Sequence, residues 1–148
     1  MPWVTTASHD GIERPRFAPC ENGALKGLLP VLERSDHVER AVAGGVRDVQ
    51  IRLKGRDVAE IRSVVESAQA ACAAAGARLW VNDHWRVAIE CGVYGVHIGQ
   101  EDLAKCTRDE LRELAAAGLR LGISTHSYAE LATALAVRPS YISLGPIF

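Results

Sequence analysis

Short apolar segments alternate along the chain with amphipathic, alanine-rich segments. From Leu28 onward, six apolar runs have the length and residue types of β-strands, at 28–32, 48–54, 78–81, 95–99, 120–125 and 141–144. Five segments with helical periodicity lie between them, at 35–43, 57–75, 84–91, 107–117 and 127–137. This alternation predicts an α/β fold of parallel strands joined by right-handed helical crossovers.

Boundary signals support these helices. Thr107 and Glu110 have the spacing of a capping box at a helix start. A glycine follows four of the helical segments, at the position where a left-handed C-cap is favoured: Gly44, Gly76, Gly92 and Gly118. The preceding residues 1–27 contain Pro2, Pro15 and Pro19 and have no sustained period. They are predicted to be a mobile extension before a single domain over 28–148.

The spacing of the strands leaves two architectures open. The strand starts recur about every 23 residues, so eight units would need about 180 residues, near the low end for an eightfold barrel. The chain reaches its sixth strand at residues 141–144. The fold is therefore either a six-stranded doubly wound sheet or a TIM (β/α)8-type barrel with about six of its eight βα units.

Composition and charge exclude several classes of protein. The 148 residues are 48% hydrophobic and 24% charged, with a formal net charge of -1, which is typical of a globular protein. This charge balance argues against a nucleic-acid partner, and no apolar stretch is long enough to span a membrane. The N-terminus does not have the pattern of a secretory signal, and the four cysteines form no CxxC pair. We therefore expect a cytoplasmic protein with reduced cysteines.

The second strand carries an unusual polar face. Its period of two places Gln50, Arg52 and Lys54 on one side and Ile51 and Leu53 on the other. Two cations near the carboxyl end of a strand suit a diphosphate ligand. The alternative is a set of structural salt bridges inside a barrel.

Two aspartates follow the next two strands. Asp83, preceded by Asn82, ends the third run, and Asp102 follows the fourth. Residues just past the carboxyl ends of parallel strands line the sites of α/β proteins, and two carboxylates there suit Mg²⁺. The alternative for each aspartate is an N-cap of the following helix.

The fifth strand ends in hydroxyl and imidazole groups. Ser124 and the backbone N–H groups around it are placed to contact phosphate oxygens, or Ser124 is a simple helix cap. His126 has no partner visible in the sequence, and His97 is expected to be a hydrogen-bonded core residue within its strand.

The ordered set of these motifs resembles the thiamine-phosphate synthase family over residues 28–148. The motifs are Gln50-x-Arg52-x-Lys54, Asn82-Asp83, Gly-Val-His-Ile-Gly-Gln-Glu-Asp at 95–102, Gly-Ile-Ser-Thr-His at 122–126 and Leu-Gly-Pro-Ile-Phe at 144–148. The resemblance implies a TIM barrel that couples hydroxymethylpyrimidine diphosphate to hydroxyethylthiazole phosphate, releasing pyrophosphate with Mg²⁺. The family also has a Thr/Lys-rich loop with a further diphosphate-binding lysine, and glycine-rich turns that hold the thiazole phosphate. Neither has a counterpart up to Phe148.

The resemblance also implies roles for single residues. Asp83 and Asp102 match the metal ligands, and Ser124 matches a contact near the reacting centre. The positions that match the pyrimidine diphosphate-binding residues are Gln50, Arg52, Lys54 and Asn82, together with Ser124. Two alternatives stay open: a relative of the thiazole tautomerase type, and a non-catalytic fragment that binds ligand weakly. Open edges of an incomplete barrel further predict association into homo-oligomers.

Overall fold

The computed structural model describes residues 16–21, 25 and 27–146. Its strands are β1 (Val31–Leu32), β2 (Asp48–Ile51), β3 (Arg78–Asn82), β4 (Gly95–Ile98), β5 (Arg120–Thr125) and β6 (Tyr141–Leu144). Its helices are α1 (Ser35–Ala43), α2 (Val58–Ala75), α3 (Trp85–Glu90), α4 (Gln100–Lys105), α5 (Arg108–Ala116) and α6 (Tyr128–Val137).

The strand order decides between the two predicted architectures. All neighbouring strands are parallel, and their order in the sheet is β1-β2-β3-β4-β5-β6. A doubly wound sheet reverses its strand order at a switch point, whereas a barrel adds each strand beside the previous one. The described chain therefore forms six consecutive strands of a TIM-like barrel, as the resemblance implied, and not a doubly wound sheet.

Most element boundaries agree with the sequence pattern, with three differences. β2 ends at Ile51 and not at residue 54, so Arg52 and Lys54 lie just after the strand. β1 is limited to Val31–Leu32 instead of 28–32. α4 was not predicted, because its six residues are too few to show a helical period. The capping box of α5 is confirmed, with Thr107 Oγ1 accepting from the Glu110 backbone and the Glu110 side chain accepting in return. Gly76 is left-handed as predicted, whereas after α1 the positive φ belongs to Gly45 and not to Gly44.

The main hydrophobic core lies between the sheet and its helices. Alternate residues of β2 to β5, such as Val49, Ile51 and Leu79, are fully buried in this core. Val65 of α2 and Leu114 of α5 belong to the same core. Because side chains alternate across a strand, the residues between these point to the opposite face, which is the interior of the barrel.

The amino-end part of the barrel interior contains a buried ion pair, here called the basal ion pair, formed by Asp48 and Arg78. Asp48 is 2% exposed and accepts hydrogen bonds from Arg78 and, at 3.2 Å, from Trp80 Nε1. Arg78 and Arg120 both lie over the Tyr94 ring, at 5.2 and 4.2 Å from its centroid. The barrel interior thus contains an ion pair, but it lies at the start of β2 and β3, below the layer of Gln50 and Trp80, and does not include Arg52 or Lys54.

A short N-terminal segment packs at this end of the barrel. Phe17 and Cys20 are buried, and the Ser140 hydroxyl donates a 2.6 Å hydrogen bond to the Ala18 carbonyl. The Arg120 side chain donates to the Pro19 carbonyl at 3.3 Å. Most of the predicted mobile extension, 1–27, lies outside the described residues, so its mobility stays a prediction there.

Two further findings bear on the compositional predictions. All four cysteines are free, with Cys20 and Cys72 buried and Cys91 and Cys106 partly so. Among the helices of the described chain, none has the length and apolar character needed to cross a membrane.

Two glycines make room for aromatic rings inside the barrel. A Cβ added at Gly95 would lie 2.5 Å from the Trp80 ring and 2.8 Å from the Arg120 carbonyl oxygen. A Cβ at Gly122 would lie 2.2 Å from the Tyr141 ring. The interior is therefore filled by large and small residues on neighbouring strands.

We predict that Gly95→Ala destabilises the fold, because its methyl group meets the fully buried Trp80 and a backbone oxygen. The expected loss in the free energy of unfolding is about 1–3 kcal/mol, measured by urea denaturation. Gly99→Ala is the matched control, since φ is -79° there and nothing lies within 4 Å of an added Cβ. Equal midpoints for the two variants would contradict the prediction.

Candidate active site

One cleft of about 690 Å³ opens where the strands end at their carboxyl side. All seven residues that the sequence singled out for a site line it: Gln50, Arg52, Lys54, Asn82, Asp83, Asp102 and Ser124. They come from β2 to β5 and the turns that follow these strands. Their convergence follows from the parallel sheet, because all of its carboxyl ends meet at one rim.

The cationic face of β2 and its following turn contributes Gln50, Arg52 and Lys54. Gln50 is 5% exposed, whereas Arg52 and Lys54 are exposed to the cleft. Neither cation forms an ion pair with another residue in the described part of the chain. The structural salt-bridge alternative therefore does not account for these two side chains, and they remain available to an anionic ligand.

Asp83 occupies a strained turn between β3 and α3. Its φ of 64° is in the left-handed region, which is uncommon for a residue other than glycine. Asn82 Nδ2 donates a 2.6 Å hydrogen bond to Asp83 Oδ2. Burial raises the pKa of Asp83, the charge of Asp102 raises it further, and Lys54 opposes the shift. The N-cap of α3 is His84, so Asp83 is not the helix cap that the sequence allowed.

Asp102 lines the same cleft from the first turn of α4. Gly99 is the N-cap of this helix, so Asp102 is not a cap either. The Asp102 side chain is 42% exposed and accepts a 3.1 Å hydrogen bond from Lys105 Nζ. Both aspartates therefore face the cleft without the capping role that would have explained them structurally.

The two carboxylates fit a hard divalent cation. Their mutual repulsion is part of what raises the Asp83 pKa, and a bound cation would relieve it. No cluster of three or more His, Cys, Asp or Glu residues suited to a metal occurs among the described residues. Mg²⁺ commonly uses one or two carboxylates and completes its shell with water and substrate phosphates, which matches an aspartate pair.

Ser124 is the centre of a hydrogen-bonded network at the floor of the cleft. His97 Nε2 lies 2.6 Å from Ser124 Oγ, and His97 Nδ1 lies 2.6 Å from the Tyr141 hydroxyl. Ser143 Oγ lies 3.4 Å from Ser124 Oγ. The N-cap of α6 is Ser127, so the capping alternative for Ser124 is not observed.

Burial controls the protonation of this network. Desolvation lowers the pKa of His97 to about 4, so the imidazole is neutral near pH 7. Desolvation also raises the pKa of Tyr141 well above its usual value, so the phenol keeps its proton. The prediction that His97 is a hydrogen-bonded residue within its strand is confirmed, and the structure places it in the cleft as well.

Sequence reasoning missed several residues of the cleft. Gln100 Nε2 donates to the Ser124 carbonyl at 2.7 Å, and Glu130 accepts from the His126 backbone at 2.6 Å and lies 3.1 Å from His126 Nδ1. Tyr141 is the clearest omission. Its partner in the register is Gly122, and a glycine opposite an aromatic residue on a neighbouring strand was a usable signal.

The fold and the cleft together define a barrel protein of the (β/α) type, with cationic and carboxylate groups at the carboxyl rim of its strands. Residues 31–148 match the model of the thiamine monophosphate synthase family. The chain belongs to this family.

Similar proteins agree with this assignment. Thiamine-phosphate synthase of Neisseria meningitidis is 50% identical over 118 residues, 80% of this chain and 56% of the relative. The Escherichia coli K12 enzyme of that name is 48% identical over 135 residues, 91% of this chain and 62% of the relative. The chain thus spans about three fifths of the length of these relatives.

A solved structure gives the same fold. Thiamine phosphate pyrophosphorylase from Pyrococcus furiosus superimposes with a TM-score of 0.69 at 25% sequence identity. The match covers 81% of this chain and 60% of that one.

We predict that Asp83→Asn stabilises the chain in the absence of metal. The raised pKa means that ionised Asp83 is less favourable in the folded than in the unfolded state. Wild-type stability therefore falls as the pH rises above about 4, the usual range of aspartate, and the variant escapes this loss. At pH 7 the expected gain is roughly 0.5–1 kcal/mol by urea denaturation.

Asp109→Asn is the control for this prediction. Its side chain is 90% exposed and pairs with Arg112 on α5, away from the cleft. This variant should show no gain. A destabilised Asp83→Asn protein at pH 7 would mean that the carboxylate is held favourably without a cation.

Proposed function

We propose that the chain carries the pyrimidine diphosphate-binding part of a thiamine-phosphate synthase. This enzyme couples hydroxymethylpyrimidine diphosphate to hydroxyethylthiazole phosphate and releases pyrophosphate. The observation that supports it best is the convergence of all seven motif residues on one cleft, which brings two cations without ion pairs in the described chain together with two carboxylates. The family membership and the similar enzymes support the same assignment.

Arg52 and Lys54 bind the diphosphate in this proposal. They lie in the cleft without ion-pair partners in the described chain, so binding an anion costs no existing salt bridge. Arginine offers a forked pair of donors and lysine a compact charge, which together suit a diphosphate. Gln50 and Asn82 lie beside them and supply amide groups for polar atoms of the substrate.

Asp83 and Asp102 would hold Mg²⁺ in the proposed site. When bound, the ion supplies positive charge that stabilises the departing pyrophosphate. Arg52 and Lys54 stabilise the same developing charge from the β2 side. The family resemblance implies a dissociative reaction, in which the pyrimidine methylene becomes cationic and the thiazole nitrogen captures it. Such a reaction needs no protein nucleophile, and Ser124 contributes as a polar contact near the reacting centre.

The cysteines and the edge strands bear on the location and the oligomeric state of the protein. Four free cysteines suit the reducing cytoplasm, which we propose as its location. Val31 on β1 and Leu144 on β6 are 53% and 65% exposed. Because these strands form the two edges of the described sheet, we propose that the 148-residue chain self-associates in solution.

We predict that Arg52→Ala and Lys54→Ala each weaken binding of hydroxymethylpyrimidine diphosphate. Losing one charged contact to the diphosphate should raise the Kd about 10- to 100-fold, measured by calorimetry with Mg²⁺ present. Arg40→Ala is the control, because Arg40 is 80% exposed on α1 outside the cleft. Equal affinities of all three variants for the ligand would show that Arg52 and Lys54 do not bind its diphosphate.

We further predict that this binding depends on Mg²⁺ through both aspartates. Chelation should weaken wild-type binding at least tenfold, whereas Asp83→Ala and Asp102→Ala should bind weakly with or without metal. Glu101→Ala is a matched control on the same turn of α4 as Asp102. If the Asp83→Ala variant bound the ligand as tightly as the wild type and still lost affinity on chelation, the metal would not be held by Asp83.

A further inference from the structure

Three side chains from adjacent strands form a continuous hydrogen-bonded chain in the barrel. Tyr141 of β6 contacts His97 of β4, and His97 contacts Ser124 of β5, with both distances at 2.6 Å. The motifs in the sequence contain His97 and Ser124 but not Tyr141, whose role is therefore unassigned.

The partners of each group fix the direction of the hydrogen bonds. In the described chain, the Tyr141 hydroxyl has His97 Nδ1 as its only hydrogen-bond partner. A buried hydroxyl needs an acceptor for its proton, so the phenol donates to Nδ1. A neutral imidazole with an accepting Nδ1 carries its proton on Nε2, and Nε2 then donates to Ser124 Oγ.

This direction leaves one donor for a ligand. Ser124 Oγ accepts from His97 Nε2, so its own proton is directed away from the imidazole. Ser143 Oγ is the other polar partner of this hydroxyl in the described chain, and at 3.4 Å it lies beyond the usual O–H···O distance. The Ser124 proton is therefore available to a ligand in the cleft that Ser124 lines. We propose that Tyr141 is a positioning residue that acts through His97 to keep the Ser124 hydroxyl as a hydrogen-bond donor toward the bound pyrimidine diphosphate.

The packing around Tyr141 holds the phenol in place for this role. Its ring lies edge-on to Trp80, with centroids 5.0 Å apart and planes at 88°. Gly122 lies opposite in the register and leaves the space that the ring occupies. The phenol therefore has little freedom to move away from His97. Tyr141→Phe retains this packing and removes only the donor.

The first test measures the tautomer of His97 by ¹⁵N NMR of the histidine-labelled chain near pH 7. We expect wild-type His97 to carry its proton on Nε2. In Tyr141→Phe, where Nδ1 has lost its donor, we expect the ¹⁵N shift of Nδ1 to move toward that of an acceptor without a hydrogen bond. A wild-type imidazole protonated at Nδ1, or an unchanged Nδ1 shift in Tyr141→Phe, would overturn the proposal. The wild-type spectrum alone decides the direction even where the variant folds poorly.

The second test rests on the proposed function and measures hydroxymethylpyrimidine diphosphate binding by calorimetry with Mg²⁺. We expect Tyr141→Phe and Ser124→Ala each to weaken binding about tenfold. The double variant should bind no more weakly than Ser124→Ala alone, because Tyr141 acts through that hydroxyl. Additive losses in the double variant would overturn the proposal.

Tyr94→Phe is the matched control. Tyr94 also lies edge-on to Trp80, at 5.3 Å, but its hydroxyl accepts from the Glu21 backbone N–H and not from the His97 network. The Tyr94→Phe variant should bind hydroxymethylpyrimidine diphosphate as tightly as the wild type. A tenfold loss would show that removing any interior phenol weakens binding, and would overturn the specific role of Tyr141. Failure of the wild-type chain to bind this ligand would refute the proposed function, while the NMR measurement would still decide the tautomer.

Discussion

The alternation of side chains across six parallel strands is the constraint on which the rest of the structure depends. Because each strand is added beside the previous one, one face of the sheet packs its apolar residues against the helices. The other face is left to enclose polar groups. The basal ion pair, the aromatic residues and the cleft all lie on this second face, in that order from the amino to the carboxyl ends of the strands. A shift of one residue in any register would exchange the two sets of side chains and remove both the core and the site.

The electrostatics of the cleft follow from its position at the carboxyl rim. Asp48 and Arg78 neutralise each other at the far end of the barrel, whereas Arg52 and Lys54 have no such partners in the described chain. Asp83 and Asp102 bring like charges into the same cleft, where Lys54 partly offsets the effect of Asp102 on Asp83 and Lys105 pairs with Asp102. A metal ion together with a diphosphate would complement both the carboxylates and the cations.

Much of the fold and of the candidate site could be predicted from the sequence, because both depend on local periodicity. Strand spacing, the Thr107 capping box and the polar face of β2 are short-range patterns. The choice between a doubly wound sheet and a barrel depended on strand order, which no local pattern specifies. Tyr141 was missed for a related reason: its contact with His97 spans 44 residues and joins strands that are not neighbours in the sheet.

The glycines opposite Trp80 and Tyr141 also determine how far a ligand can enter. Because Gly95 of β4 and Gly122 of β5 have no side chains, the rings of Trp80 on β3 and Tyr141 on β6 meet edge-on across these two strands and fill the interior. Among the described strands, the space open to a ligand is thus confined to the carboxyl rim. A ligand bound there would approach and depart past the same charged side chains, Arg52, Lys54, Asp83 and Asp102.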